Sequence, residues 1–125
     1  MGATVEDRLA ELGIELPVPA APAANYVPFV VSGNLIFVSG QIPVLDGDIK
    51  FKGRVGDDLS TDDGYQAARL CCLNIIAQAG AACGGDLNRI TRVVKLGGFV
   101  NSTPDFTDQP KVINGAVDLL VEVLG

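Results

Sequence analysis

The sequence contains no histidine, no tryptophan and a single methionine. Without histidine, neither a Ser-His-Asp nor a Cys-His catalytic set can be built, and His-containing zinc sites fall with them, because no remaining side chain titrates near neutral pH unless its surroundings shift it. Chemistry is left to carboxylates, hydroxyls, cationic side chains, backbone amides and water. Positive charge is scarce as well: 9 Lys and Arg against 15 Asp and Glu leave a net charge of −6, the wrong sign for a surface that neutralises phosphates. Nucleic acid is therefore not expected as a partner. The cysteines Cys71, Cys72 and Cys83 form an odd set with no C-x-x-C spacing. Adjacent Cys71 and Cys72 fall on different faces of any helix, so all three read as small buried hydrophobes rather than metal or redox groups. Met1–Leu12 carries charges where a secretory signal would be apolar, which points to a reduced, cytoplasmic protein. The longest charge-free run, Leu16–Leu45, holds Pro17, Pro19, Pro22, Pro28 and Pro43, a density that excludes a membrane-spanning helix. No phosphate loop, dinucleotide fingerprint, zinc spacing or nucleophile elbow is present.

What remains is a chain of 125 residues, 48% hydrophobic, sized for one domain. Thr4 to Gly13 reads as a short amphipathic helix, with Thr4 as cap, Val5, Leu9 and Leu12 on one face and Gly13 as stop. The Pro/Ala stretch 16–25 should be extended and irregular. Residues 1–25 are thus expected to form a helix and an arm ahead of a domain spanning 26–125. From Tyr26 the pattern turns to strands. YVPFVV and NLIFVSGQIPV flank Ser32-Gly33-Asn34, and Asp46-Gly47 suits a type I′ turn before a strand near Asp48–Phe51, which together predict a three-stranded antiparallel meander.

Ser60 or Thr61 should cap a long helix, with Asp62 and Asp63 in its first turn and Tyr65, Ala68, Cys72, Ile75, Ile76 and Ala79 facing the core. Gly80, Gly84 and Gly85 end it. Arg89–Val100 reads as a further strand in which Gly97-Gly98 marks a bend, a bulge or a close approach. A last helix begins near Pro110 and buries Ile113, Ala116, Val117, Leu120 and Leu124. The order β-β-β-α-β-α implies an α+β fold in two layers, a mixed sheet with two helices on one face.

The acidic cluster Asp57, Asp58, Asp62 and Asp63 reads as a solvated loop and helix start rather than a cation site, because oxygen cages need ligands wrapped around a centre. Val38-Ser39-Gly40-Gln41-Ile42-Pro43 is more suggestive: at a strand end it joins a hydroxyl, a glycine that lets a ligand reach the backbone, and an amide. On spacing alone, ordinary strand or turn residues remain the simpler reading of Ser39 and Gln41. The run Gly33–Pro43 with Tyr26-Val27, followed in order by QAARLCCLNIIAQAG, VVKLGGFVN and Pro104-Asp105-Phe106, resembles the YjgF/RidA family. These are the reactive-intermediate deaminases, also known as endoribonuclease L-PSP or translation inhibitors. The resemblance runs from Tyr26 onward, and the opening LAELGIELPVPAAPAANYVPFV resembles a longer, N-terminally extended subgroup.

The resemblance implies a chorismate-mutase-like β-β-β-α-β-α-β-β domain, a homotrimer with ligand clefts between subunits, and hydrolysis of 2-imino or enamine acids to 2-oxo acids and ammonia. It implies no cofactor and no metal. An activated imine needs positioning and desolvation more than a strong base, which accords with the absence of histidine. Carried over by position, Tyr26, Ser39 and Gly40 are the expected substrate-binding residues, with Lys95 and Phe106 bordering the cleft and a small carboxylate metabolite as its occupant. The family's substrate-binding arginine and its glutamate lie on two strands after the last helix, beyond the end of this sequence, so the 26–125 domain is expected to be C-terminally incomplete. Arg54, Arg69, Arg89 and Arg92 do not occupy the arginine's position, and Pro104 stands where an asparagine is frequent. No catalytic residue is assigned. The competing readings are a non-catalytic carboxylate-binding or regulatory trimer and an endoribonuclease or translation inhibitor, the latter opposed by the acidic charge.

Overall fold

The computed structural model describes residues 4–19, 25 and 27–125. Helix α1, Val5–Leu12, begins with a capping box: Thr4 Oγ1 accepts from the Asp7 N–H at 3.1 Å, and the Asp7 carboxylate accepts from the Thr4 N–H at 3.2 Å. Gly13 ends it with φ of 67°, a left-handed conformation natural to glycine. Val5 and Leu9 are buried in the main core. The helix is also pinned by polar contacts: Asn88 Oδ1 accepts from the Val5 N–H at 2.9 Å, and the Arg8 guanidinium donates to the last-turn carbonyls of Val123 and Leu124, each at 3.3 Å.

Strands β1 (Phe29–Ser32) and β2 (Leu35–Val38) form a tight antiparallel hairpin across Gly33-Asn34, with Phe29 opposite Val38 and Ser32 opposite Leu35. Strands β3 (Val44–Leu45) and β4 (Asp48–Ile49) form another, across Asp46-Gly47. Both turn residues have positive φ, 53° and 83°, as a type I′ turn requires. The expected meander is therefore two separate hairpins. The interruption falls at Ser39–Pro43, where Pro43 has no N–H to continue a ladder and offers only its carbonyl, which accepts from the Lys50 N–H at 2.7 Å. Directly after β4, Phe51 has φ of 58°, a strained backbone for an aromatic residue.

Helix α2, Thr61–Ala82, starts with a second capping box, between Ser60 and Asp63. Cys72, Ile76 and Ala79 face the core as expected, but Leu70, Asn74, Ala77 and Gln78 are buried too, because α2 lies against both hairpins on one side and against the last helix on the other. That helix, α3, spans Gln109–Leu124 with proline in its first turn. Its buried residues are Val112, Gly115, Ala116, Leu119 and Val123; of the expected face only Ala116 is among them, and Val117 is 41% exposed. The physical reason is Gly115. A Cβ there would overlap the Tyr65 carbonyl oxygen and stand 2.9 Å from the carbonyl carbon, so α3 meets the α2 backbone through Gly115, Val117 is turned outward, and Leu120 and Leu124 pack, partly buried, against the edge of the core. Gly64 makes the reciprocal approach, where a Cβ would lie 2.9 Å from Val112. Tyr65 Oη donates to Asp118 at 2.7 Å, and Arg69 pairs with Glu122 at 3.7 Å along the same seam.

Between α2 and α3 the chain makes a short 3-10 turn, Leu87–Arg89, and then runs extended without a ladder through the segment expected to be a strand. After Ile90, whose N–H donates to Leu87 O at 3.1 Å, its backbone bonds among the described residues come at its end, where Val55 N–H donates to Asn101 O at 2.9 Å and Thr103 N–H donates to Val55 O at 3.0 Å. A strand requires a neighbour to exchange hydrogen bonds with, and among the described residues none runs alongside 90–100. Gly98 is a close approach, since a Cβ there would strike the Ile113 side chain, whereas Gly97 meets nothing within 4 Å. Mixed helices and small antiparallel sheets place the chain in the α+β class, as expected.

Candidate functional site

The segment Ser39–Pro43 follows β2, bends at Pro43 where Val44 N–H donates to Ile42 O at 2.8 Å, and is fastened at nearly every residue. Ser39 N–H donates to Pro28 O at 2.9 Å, and Ser39 Oγ donates to Val27 O at 2.5 Å. Gln41 Nε2 donates back to Ser39 O at 2.9 Å. From beneath, Asn74 of α2 donates to Ile42 O at 3.2 Å and Val44 O at 2.9 Å. An amide only 2% exposed in mid-helix must be hydrogen-bonded to be tolerated, and here it locks the strand end to the helix. Asn74 is a positioning residue that the sequence reading missed; a polar side chain between Leu73 and Ile75 in an apolar helix was the available signal.

Gly40 is the exception in this fastened segment. Its φ is not positive, and a Cβ added to it would meet nothing within 4 Å. Neither backbone conformation nor internal packing calls for glycine there. Its N–H finds no acceptor among the described residues. The strand end therefore presents an open backbone donor next to the Ser39 hydroxyl, whose own proton is committed to Val27 O and whose lone pairs remain to accept.

The other expected site residues are not gathered around it. Tyr26 lies outside the described residues. Lys95 is exposed on the unpaired segment, and Phe106 is half-buried in the turn before α3, where its N–H donates to Thr103 O and its carbonyl accepts from Gln109 Nε2. Among the described residues no hydrogen bond or ion pair joins Lys95 or Phe106 to Ser39 or Gly40. Two open cavities are formed elsewhere. One, of about 340 Å³, lies between α3 and residues 90–96; the other, of about 500 Å³, lies between the second hairpin and α2. Neither is lined by Ser39, Gly40, Lys95 or Phe106.

The arginines have duties away from Gly40. Arg54 pairs with Asp57 at 3.3 Å, Arg69 with Glu122, and Arg89 donates to Cys83 O at 3.1 Å; Arg92 lines the α3 cavity. The acidic cluster is used locally: the Asp58 carboxyl accepts the Arg54 N–H at 2.7 Å, a bond that lowers its pKa, and Asp63 completes the α2 cap. Among the described residues no group of His, Cys, Asp and Glu is arranged to hold a metal. The cysteines are free thiols. Burial pushes Cys71 up to about 11 and Cys72 up to about 12, so both are protonated at neutral pH and poor nucleophiles.

Comparison with known proteins connects these features. The family model described as YjgF/chorismate mutase-like, putative endoribonuclease, matches residues 6–125. Protein TCP17 of Trypanosoma cruzi is 50% identical over 121 residues, which is 97% of this chain and 75% of that protein. The crystal structure of Atu1372 from Agrobacterium tumefaciens, of unknown function, matches with a TM-score of 0.89 at 52% identity, over 98% of this chain and 74% of that one. A putative endoribonuclease from Shewanella oneidensis MR-1 matches with a TM-score of 0.94 at 41% identity, over 98% and 81% of the two chains.

Proposed function

The chain belongs to the YjgF/chorismate-mutase-like family, and from that premise we propose that it takes part in hydrolysing 2-imino or enamine acids to 2-oxo acids and ammonia. The observation that carries the reading is the Gly40 amide, without an acceptor among the described residues, beside the Ser39 hydroxyl, on a strand end that Asn74 locks in place. A backbone N–H in a fixed segment binds an anionic oxygen without reorganising, and a substrate carboxylate is such a group. Ser39 Oγ, donating to Val27 O, can accept a proton-bearing iminium nitrogen or the attacking water. Water adds to the imine carbon, the carbinolamine loses ammonia, and the carbonyl of the 2-oxo acid is left. The reaction is uphill chiefly in positioning, which fixed donors supply.

The cleft in this reading lies between copies of the chain. The outward face of the first hairpin carries Val30 (51% exposed), Leu35 (46%) and Phe37 (57%), apolar residues where a one-sided antiparallel sheet would carry polar ones. A homotrimer would bury them and bring a neighbour's residues to Gly40. The Shewanella relative, described as an endoribonuclease, supplies the second reading, and the net charge of −6 opposes it.

The decisive assay generates imino acids with an amino-acid oxidase and follows 2-oxo acid release. Acceleration by the protein, lost in Ser39→Ala, is the expected result. A purified protein that accelerates nothing while cleaving RNA would replace this reading with the second.

A further inference from the structure

The cavity between the second hairpin and α2 has a composition at odds with the rest of the molecule. Its walls are apolar, formed by Phe51, Leu70 and Leu73 among others, and its polar lining is Lys50, Gln66 and Arg69, with no acidic residue. Two cations facing one apolar hollow are unusual on a chain of net charge −6. Lys50 makes no ion pair among the described residues. Among the described residues Arg69 pairs with Glu122 alone, at 3.7 Å and with the two side chains 29% and 46% exposed, a long and partly solvated pair that an incoming anion can exchange at little cost. Phe51 occupies its place on this wall at a positive φ, and backbone strain of that kind clusters at binding sites.

We propose that this cavity binds a small amphipathic monocarboxylate, its apolar body over Phe51, Leu70 and Leu73 and its carboxylate between Lys50 and Arg69. Apolar walls with a few convergent polar groups are the usual form of a small-molecule site, and guanidinium is the side chain best matched to a carboxylate. The site shares no residue with the Ser39–Gly40 strand end, so it stands or falls independently of the reaction proposed there.

Phenylacetate titrated into the full chain tests it, with binding read by calorimetry and by backbone amide shifts. Saturable shifts at Gln66, Arg69 and Leu73 are expected. 2-Phenylethanol, which keeps the ring and loses the charge, and acetate, which keeps the charge and loses the ring, should each bind about tenfold more weakly or worse. Lys50→Gln and Arg69→Gln should each weaken phenylacetate by a similar factor, Glu122→Gln should strengthen it by freeing Arg69, and Ser39→Ala should leave it unchanged. Lys50 is exposed on a hairpin exit, so its variant remains informative even where Arg69→Gln disturbs the helix seam. The proposal is overturned if phenylacetate does not bind, if 2-phenylethanol binds equally well, or if Ser39→Ala abolishes binding while both cation variants retain it.

Discussion

Leu119 and Val123 on α3 are fully excluded from solvent, whereas Val30, Leu35 and Phe37 on the first hairpin stand about half in water. The helical seam is closed by small residues: Gly115 meets the α2 backbone at Tyr65, Gly64 admits the Val112 side chain, and Tyr65–Asp118 and Arg69–Glu122 fasten its edge. The strand side is open, with two short hairpins, an unpaired extended segment and exposed apolar side chains. Burial is concentrated in the seam, and the strand side leaves apolar side chains in contact with solvent.

The sharpest way to break the contrast is Gly115→Val, which drives a branched side chain into the Tyr65 carbonyl. Overpacking at backbone contact should cost about 3 kcal/mol or more, read as a lowered urea midpoint, and a loss below about 1 kcal/mol would show that the seam yields. Next is a matched pair. Leu119→Ala should cost about 2–5 kcal/mol, while Phe37→Ala should stay within about 0.5 kcal/mol for the isolated chain. If Phe37→Ala proves costly and its cost grows with protein concentration, the outward face is buried in an assembly. Asn74→Ala strips the donor from the Ile42 and Val44 carbonyls and should cost about 1–3 kcal/mol, with faster hydrogen exchange confined to residues around 39–45. Exchange unchanged there would remove Asn74 from the positioning role.

The smallest effect separates the two sides by pH. Burial raises the Cys71 and Cys72 thiols, and the bond to Asp118 raises Tyr65, so the folded chain keeps these protons to higher pH than the unfolded one. Stability linked to them is complete below the ordinary thiol value of 9.0 and falls as pH rises through about 11 to 12. Asp58, lowered by the Arg54 amide, acts in the opposite direction: its contribution is present above the ordinary carboxyl value and is lost as pH falls below it. Because Asp58 is exposed, the acid loss should be the shallower. A midpoint that is flat from pH 8 to 11 would contradict the buried thiols.

Local chemistry was legible in the sequence and tertiary partnership was not. Thr4, Gly13, Ser60 and Asp46-Gly47 each act within a few residues, through caps and turns, and they stand as read. The strand expected over Arg89–Val100 depended on a neighbour, which no residue pattern within it could supply. The face of α3 was legible in part: Ala116, Leu120 and Leu124 belong to the core or pack against it, whereas Val117 is turned out because a glycine, carrying no hydrophobic weight, decides which side meets α2. At the candidate site, spacing alone favoured ordinary strand residues at Ser39 and Gln41, and Ser39 and Gly40, like Lys95 and Phe106, became site residues through resemblance; no described bond joins Lys95 or Phe106 to the strand end. Asn74 escaped notice because its worth lies in two carbonyls some thirty residues away, at sequence separations of 32 and 30.

The bond from Arg8 to Leu124 spans 116 residues of chain, and that separation has a kinetic meaning. A contact that closes so large a loop bears the full entropy of closure before it returns anything, so docking of α1 on α3 belongs after the rate-limiting step, once the seam has formed. Weakening it with Arg8→Ala should leave the refolding rate nearly unchanged and speed unfolding, making α1 a latch that governs how long the folded chain lasts rather than how fast it arises.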